Sequence, residues 1–242
     1  VRLPAQGAAR DAAILGLTLL ALLAWDLSGA DLALSAWAGG SAGFPLRHDG
    51  TWATALHGAG RWLSGALLAV LVVDALWRDP PWRRDRTRPG PEVAERRHVA
   101  LATLFTLAAV PALKRASATS CPWDVAAFGG SVPYVPHWVW SVIDGGPGHC
   151  FPSGHAVAAF VFLVPAVAWR RHDPRMAPVL LGAVLLAGAL FGGVQVLRGA
   201  HYVSHVLWSA WLCAALAVAA DTGRGLIARW PARGAAQEAP PA

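Results

Sequence analysis

The chain has 242 residues, 55% of them apolar and only 14% Asp, Glu, Lys or Arg, against a charged share of roughly 25% in soluble domains; that deficit excludes an ordinary water-soluble globular domain. The formal net charge of +6 would suit a nucleic-acid binder. The cationic residues, however, lie in connections between apolar runs and form no basic patch interleaved with aromatics, which excludes that class.

Apolar residues come in long runs, and a helix crosses a bilayer with about 20 of them. In chain order the runs are Ala12 to Ala30, interrupted by Asp26; Trp62 to Trp77, interrupted by Asp74; Val99 to Leu113; Phe151 to Trp169, where His155 is the only ionisable residue; Met176 to Leu197, with none; and Tyr202 to Ala220. No segment alternates as a membrane barrel strand does, and backbone groups in hydrocarbon must be satisfied internally. The expected fold is therefore all-α: one bundle of about six transmembrane helices. The first run competes with a cleaved signal peptide, because Arg2 and Arg10, an apolar stretch and Ser28-Gly29-Ala30 follow that pattern. Arg78 to Arg97, rich in Pro and Arg, reads as a linker with little packed structure. The segment from Lys114 to Cys150 mixes Pro with Trp and Tyr and is expected to fold over the membrane surface, with a short interfacial helix near Trp138 to Ile143. The expected division is an N-terminal two-helix unit with its linker (1–96), a core (97–222) and a disordered tail (223–242).

Cytoplasmic connections are enriched in Lys and Arg. With alternating sidedness, fifteen of the 20 Lys and Arg residues fall on one side, with both termini, and Arg47, Arg61, Lys114, Arg115 and Arg198 on the other. The second side is thus expected to face outward. The Ala, Arg and Gly bias suits a GC-rich bacterium, and hence an inner membrane with a periplasmic site. Many of the 13 Trp residues, Trp62, Trp77, Trp138 and Trp169 among them, fall near run ends, as interfacial aromatics do. Cys121 and Cys150 share the outer connection, where an oxidising periplasm would permit a disulfide between them; Cys213 lies within the last run.

Three polar clusters fall at run ends on that outer side: Lys114 and Arg115, followed by Cys121 and Pro122; Pro152-Ser153-Gly154-His155; and Gln195, Arg198, His201 and His205. A helix opening on Ser153 and Gly154 presents unpaired N–H groups to an anion. His155, one residue on, could protonate a leaving oxygen. Lys114, Arg115 and Arg198 would neutralise phosphate oxygens, and His201 would supply a nucleophile.

Over roughly Val99 to Ala220 these residues resemble the type 2 phosphatidic acid phosphatase superfamily, related to vanadium haloperoxidases. That family shows Lys, six residues, then Arg and Pro; a Pro-Ser-Gly-His run; and Ser-Arg, five residues, His, three residues, Asp. Pro152 to His155 match in full, as do Lys114, Pro122 and His201. Cys121 stands at the first arginine, Gln195 at the second and His205 at the aspartate. The resemblance implies a six-helix membrane fold, a phosphohistidine at His201, acid catalysis by His155 and no metal or other cofactor. Arg198 is the candidate for the displaced arginine and His205 for the orienting group, through a neutral imidazole.

The expected activity is hydrolysis of a phosphomonoester or pyrophosphate on a lipid such as phosphatidic acid, a polyprenyl pyrophosphate or a lipid A phosphate. The alternatives are phosphoryl transfer between lipids and a noncatalytic lipid- or haem-binding protein. Other readings are plainer. Arg115 also suits an interfacial anchor, Cys121 a structural role, and Asp74, Asp124 and Asp144 solvated or helix-end carboxylates. His48, His57, His98, His137 and His149 suit interface or loop positions, and the sequence leaves oligomeric state open.

Overall fold

The computed structural model describes residues 5–48, 50–78, 90–139 and 142–227. Eight α-helices account for most of them: α1 (Ala5–Ser28), α2 (Ala30–Ala38), α3 (Gly50–Leu76), α4 (Val93–Ala116), α5 (Gly154–Phe160), α6 (Leu163–Trp169), α7 (Ala177–Leu197) and α8 (Val203–Ile227). Among the described residues there is no β-strand, only two isolated bridges. Four helices are long and apolar enough to cross a membrane: α1, α4, α7 and α8; the apolar stretches Trp62–Leu76 and Gly154–Trp169 are shorter.

The run from Phe151 to Trp169 is not one helix but two, because Pro165 has no N–H to offer the carbonyl of Val161 and its ring crowds that carbonyl. Val164 takes the Val161 oxygen instead at 3.3 Å, and Phe162 bonds to Ala159 at 3.0 Å, so the chain tightens into a turn before α6 begins. The α5–α6 pair is the centre of the molecule. Ala156, Val157, Phe160, Leu163, Val164 and Val167 are buried against Val99 and Val110 of α4 and Val206, Cys213 and Ala217 of α8. Outward faces are the reverse of a soluble protein's: Leu17, Val70, Leu101, Phe105, Leu186 and Leu190 are exposed, as lipid-facing side chains must be.

α1 is an integral helix of this fold. Trp211 of α8 donates its indole N–H to the Leu15 carbonyl at 3.1 Å, and Trp208 donates to the Asp26 carboxylate at 2.9 Å. At its other end Asp11 accepts two hydrogen bonds from Arg170, at 2.8 and 2.7 Å. The stretch read as an unpacked linker is helical from Val93, and Arg96 is buried, donating to the carbonyls of Asp74 (2.9 Å), Trp77 (2.6 Å) and Pro91 (3.2 Å) beside the Asp74 carboxylate. Residues 79–89, and the tail after Ile227, lie outside the described residues.

A second, smaller core caps the end of the bundle where α4 stops and α8 begins: Phe44, Val125, Phe128 and Val132 are buried together with Leu32, Ala38, Trp123 and Tyr134 against them. His137 and Trp138 form a turn, and no helix covers the described part of 138–143. Asp144 is buried, not solvated. It accepts hydrogen bonds from the Ser120 N–H and hydroxyl, both at 2.8 Å, and from the Gly146 N–H at 2.9 Å, which folds the loop back over α4. His149 and Cys150 then donate their N–H groups to Ser117 and Thr119 at 2.8 and 2.9 Å.

Candidate active site

That pairing delivers the Pro-Ser-Gly-His segment next to the end of α4. The Lys114 ammonium donates to the His149 carbonyl at 2.5 Å, and its stem runs past Gly154, where an added Cβ would lie 3.5 Å from Lys114 Cδ. Cys121 and Cys150 are joined by a disulfide with Cα atoms 5.2 Å apart, so the residue at the family's first arginine position is tied to the start of the second motif. Closing a loop of this length restricts the unfolded chain by about 3 to 4 kcal/mol in an entropic model.

His201 is placed by the way α7 ends. Gly199 takes the left-handed conformation (φ 72°), its N–H bonds to Val196 at 2.9 Å, and the Ala200 N–H bonds to Gln195 at 2.9 Å. These are the two hydrogen bonds of a Schellman stop. The reversal puts His201 just before α8, where it is buried with 3% of its surface exposed. The α8 start is pinned from another element: Asp31 of α2, also buried, accepts from the Ser204 N–H at 3.0 Å and from the Ser204 hydroxyl. A side-chain carboxylate thereby fills the capping role that the α8 sequence does not supply itself.

The second and third motifs meet at this point. Ser153 donates its N–H to the His205 carbonyl at 3.1 Å, and the Ser209 hydroxyl contacts the carbonyls of Ser153 at 3.0 Å and His205 at 2.8 Å. The His155 and His201 rings come within 6.2 Å, centroid to centroid, tilted by 60°. Burial, reinforced by the positive charges of Lys114 and His155, drives the His201 pKa well below its ordinary value of 6.5, against a smaller opposite effect of the Cys150 backbone. The ring is therefore neutral near pH 7 and carries a free lone pair.

Lys114, Gly154, His155 and His201 thus gather in one place, with Ser153 beneath them, fully buried and its hydroxyl without a partner. The other expected residues sit differently. His205 is behind His201, its ring 5.8 Å away and edge-on to Phe151, His137 and Tyr202, with Nδ1 buried and unpartnered. Arg198 donates to Gln195 Oε1 at 3.4 Å and to the Arg47 carbonyl at 3.2 Å, leaving its buried Nε unpaired. Arg115 is exposed, and no ion pair or hydrogen bond joins it to the cluster among the described residues.

Several site residues escaped the sequence. His137, read as a loop residue, is packed flat on Phe151 (centroids 4.1 Å apart) and 3.3 Å from Asp26; burial lowers its pKa while Asp26 pulls the other way. Tyr202 is buried between Tyr134 and His205. Asp31 and Asp26 could have been suspected only as acids inside or beside an apolar run; nothing in their spacing ties them to His201. Asp124 accepts from the Cys121 N–H at 3.2 Å and so orders the turn after it.

Cys150, His201 and His205 bring ligand-type atoms within 4.8 Å of one another. The Cys150 sulfur is committed to the disulfide and cannot ligate as a thiolate, so this trio does not make a metal centre. No curated protein and no solved structure matches the chain. The family model described as "PAP2 superfamily" matches residues 97–224, a span that begins in α4, contains all three motifs and ends in α8, and the chain belongs to that superfamily of phosphatase-type hydrolases.

Proposed function

We propose that this protein hydrolyses a phosphomonoester or pyrophosphate of a lipid-linked substrate, at the outer face of a bacterial inner membrane, through a phosphohistidine at His201. The observation that carries the reading is the meeting of His155 and His201, from two separate motifs of the family match, at 6.2 Å, with the Lys114 stem on Gly154. The His201 lone pair attacks phosphorus, the bond from phosphorus to the lipid oxygen breaks, and His155 delivers a proton to that oxygen. Water, deprotonated by His155, then attacks phosphorus, the phosphorus–nitrogen bond breaks with its electron pair returning to His201, and phosphate is released. Lys114, Ser153 and the N–H groups of Gly154 and His155 receive the phosphoryl oxygens, with Arg198 as the nearby second cation and His205 and Arg115 as outer members of the proposed site. No cofactor enters this scheme.

Support for a lipid-linked substrate comes from an apolar recess of about 560 Å³ bounded by Leu23, Leu27, Leu113, Phe151, Trp208 and Leu212. Phe151 immediately precedes the second motif, so a chain lying in this recess would lead its phosphate to the histidines. In the same reading all six apolar stretches cross the bilayer, and residues 97–222 form the phosphatase core.

The test is purified protein against phosphatidic acid, a polyprenyl pyrophosphate and a lipid A phosphate, with trapping of the phosphoenzyme. His201→Ala should form none. His155→Ala should still be phosphorylated by an activated substrate whose leaving group needs no proton, and both should lose several orders of magnitude in turnover. Wild-type turnover persisting in His201→Ala would refute the assignment; preferential labelling of an added lipid acceptor over water would make the protein a transferase.

A further inference from the structure

The family places an aspartate where this chain has His205, and the buried Nδ1 of His205 has no hydrogen-bond partner. The nearest side-chain partner of His201 is elsewhere. Cys150 Sγ lies 3.6 Å from His201 Nδ1, within reach of a sulfur hydrogen bond, and the same sulfur is bound to Cys121. The Ala200 carbonyl oxygen, from the residue adjoining His201, lies 2.9 Å from it. A disulfide sulfur has no hydrogen and can only accept, so the proton of a neutral His201 belongs on Nδ1 and the lone pair on Nε2. A free thiol at the same place would carry a hydrogen and could donate it to Nδ1, moving the ring proton to Nε2.

We infer that the Cys121–Cys150 disulfide is the positioning element of the nucleophile: by presenting a sulfur that can only accept to Nδ1 it selects the His201 tautomer whose Nε2 can attack phosphorus. This replaces the orienting role of His205, and it rests on the assignment of His201 as nucleophile. Cys121 and His205, two departures from the family pattern, then explain each other. With a bridge instead of an arginine at one position, the carboxylate at the other is no longer what holds the histidine.

Two variants separate this role from that of a simple staple. Cys121→Ala and Cys150→Ala both lack the bridge, but only Cys121→Ala leaves a thiol beside His201. The full chain, labelled with ¹⁵N-histidine in detergent and assigned with His201→Gln, reports the tautomer directly from the nitrogen shifts, without any turnover. Oxidised wild type should show Nδ1–H at His201. Reduction by a phosphine, which converts the bridge to two thiols, should move population to Nε2–H, as should Cys121→Ala. In single-turnover phosphorylation Cys121→Ala should fall about tenfold below Cys150→Ala, with KM within about twofold, because the loss is in the reacting form and not in binding. Equal losses in the two variants, or an Nε2–H tautomer in the oxidised wild type, overturn the inference. Should the oxidised protein hydrolyse none of the lipid phosphates, the proposed function fails while the nitrogen shifts still decide the tautomer.

Discussion

The proposed chemistry depends on a histidine kept neutral by its surroundings. Because His201 is buried beside Lys114 and His155, its folded-state pKa is depressed well below 6.5, whereas in the unfolded chain it returns to about 6.5. Between those values the unfolded state binds the extra proton, so stability rises with pH through that window and is lost as pH falls below about 6.5. His201→Gln should remove this part of the pH slope in thermal unfolding; an unchanged slope would place the titration elsewhere. For the same reason the acid limb of phosphoenzyme formation should lie below pH 6.5. The two arginines differ in a related way. Arg198 holds an unpaired Nε in a buried position, and an anion would satisfy it; Arg115 is exposed. Arg198→Ala should cost about tenfold or more in kcat/KM, the scale of a lost charge-assisted contact of about 1.5 kcal/mol or more, and Arg115→Ala less than about twofold. Equal losses would remove Arg198 from the site.

At the scale of elements, the site is made by the way helices stop and start. Gly199 ends α7 in the left-handed region, and a Cβ added there would come within 2.2 Å of the Phe44 ring. Gly199→Ala would therefore incur about 1 kcal/mol or more of backbone strain and displace Phe44 from the smaller core. The expected result is a lower Tm and a larger fall in kcat than in KM, since His201 lies two residues on; unchanged kinetics would show that the turn does not set the ring. Asp31→Ala should likewise destabilise by about 1 to 2 kcal/mol through the lost cap on α8. The three motifs and the helical class were legible beforehand because both are local, being runs of apolar residues and fixed spacings. Met176 to Leu197 as a run matches α7 almost residue for residue. The break at Pro165 and the helical start at Val93 are also local but were masked by composition, the first by an unbroken apolar run and the second by neighbouring arginines. Asp31 and His137 were illegible for another reason. Their importance arises from contacts with residues 173 positions away in one case and from ring stacking in the other, and no periodicity encodes either.

The whole molecule is polar at two opposite ends with different chemistry. At the end away from the histidines, Glu95 of α4 meets Arg171 at 3.2 Å, His172 at 3.2 Å and Arg224 at 3.1 Å, and Asp221 of α8 pairs with Arg171 and lies 3.8 Å from Arg170. Arg170, Arg171 and Arg224 count toward sidedness in the sequence; in the fold they also latch α4, α6 and α8 together through Glu95 and Asp221. An end dense in buried ion pairs has its charges compensated by partners, whereas the histidine end keeps Lys114 without a carboxylate partner among the described residues, as a site for an anionic substrate would. Excess Arg around the latched end leads us to propose that this end faces the cytoplasm. The prediction is tested with single cysteines at exposed positions of each end: Pro147→Cys in the loop before the second motif and Arg175→Cys in the turn before α7. The native Cys213 is buried and Cys121 and Cys150 are bridged, so neither should react in the folded protein. A membrane-impermeant maleimide should label Pro147→Cys in intact cells and Arg175→Cys only after permeabilisation. The opposite pattern would place His155 and His201 on the cytoplasmic face, where a reducing environment would also open the bridge that is inferred to hold His201 in its reactive form.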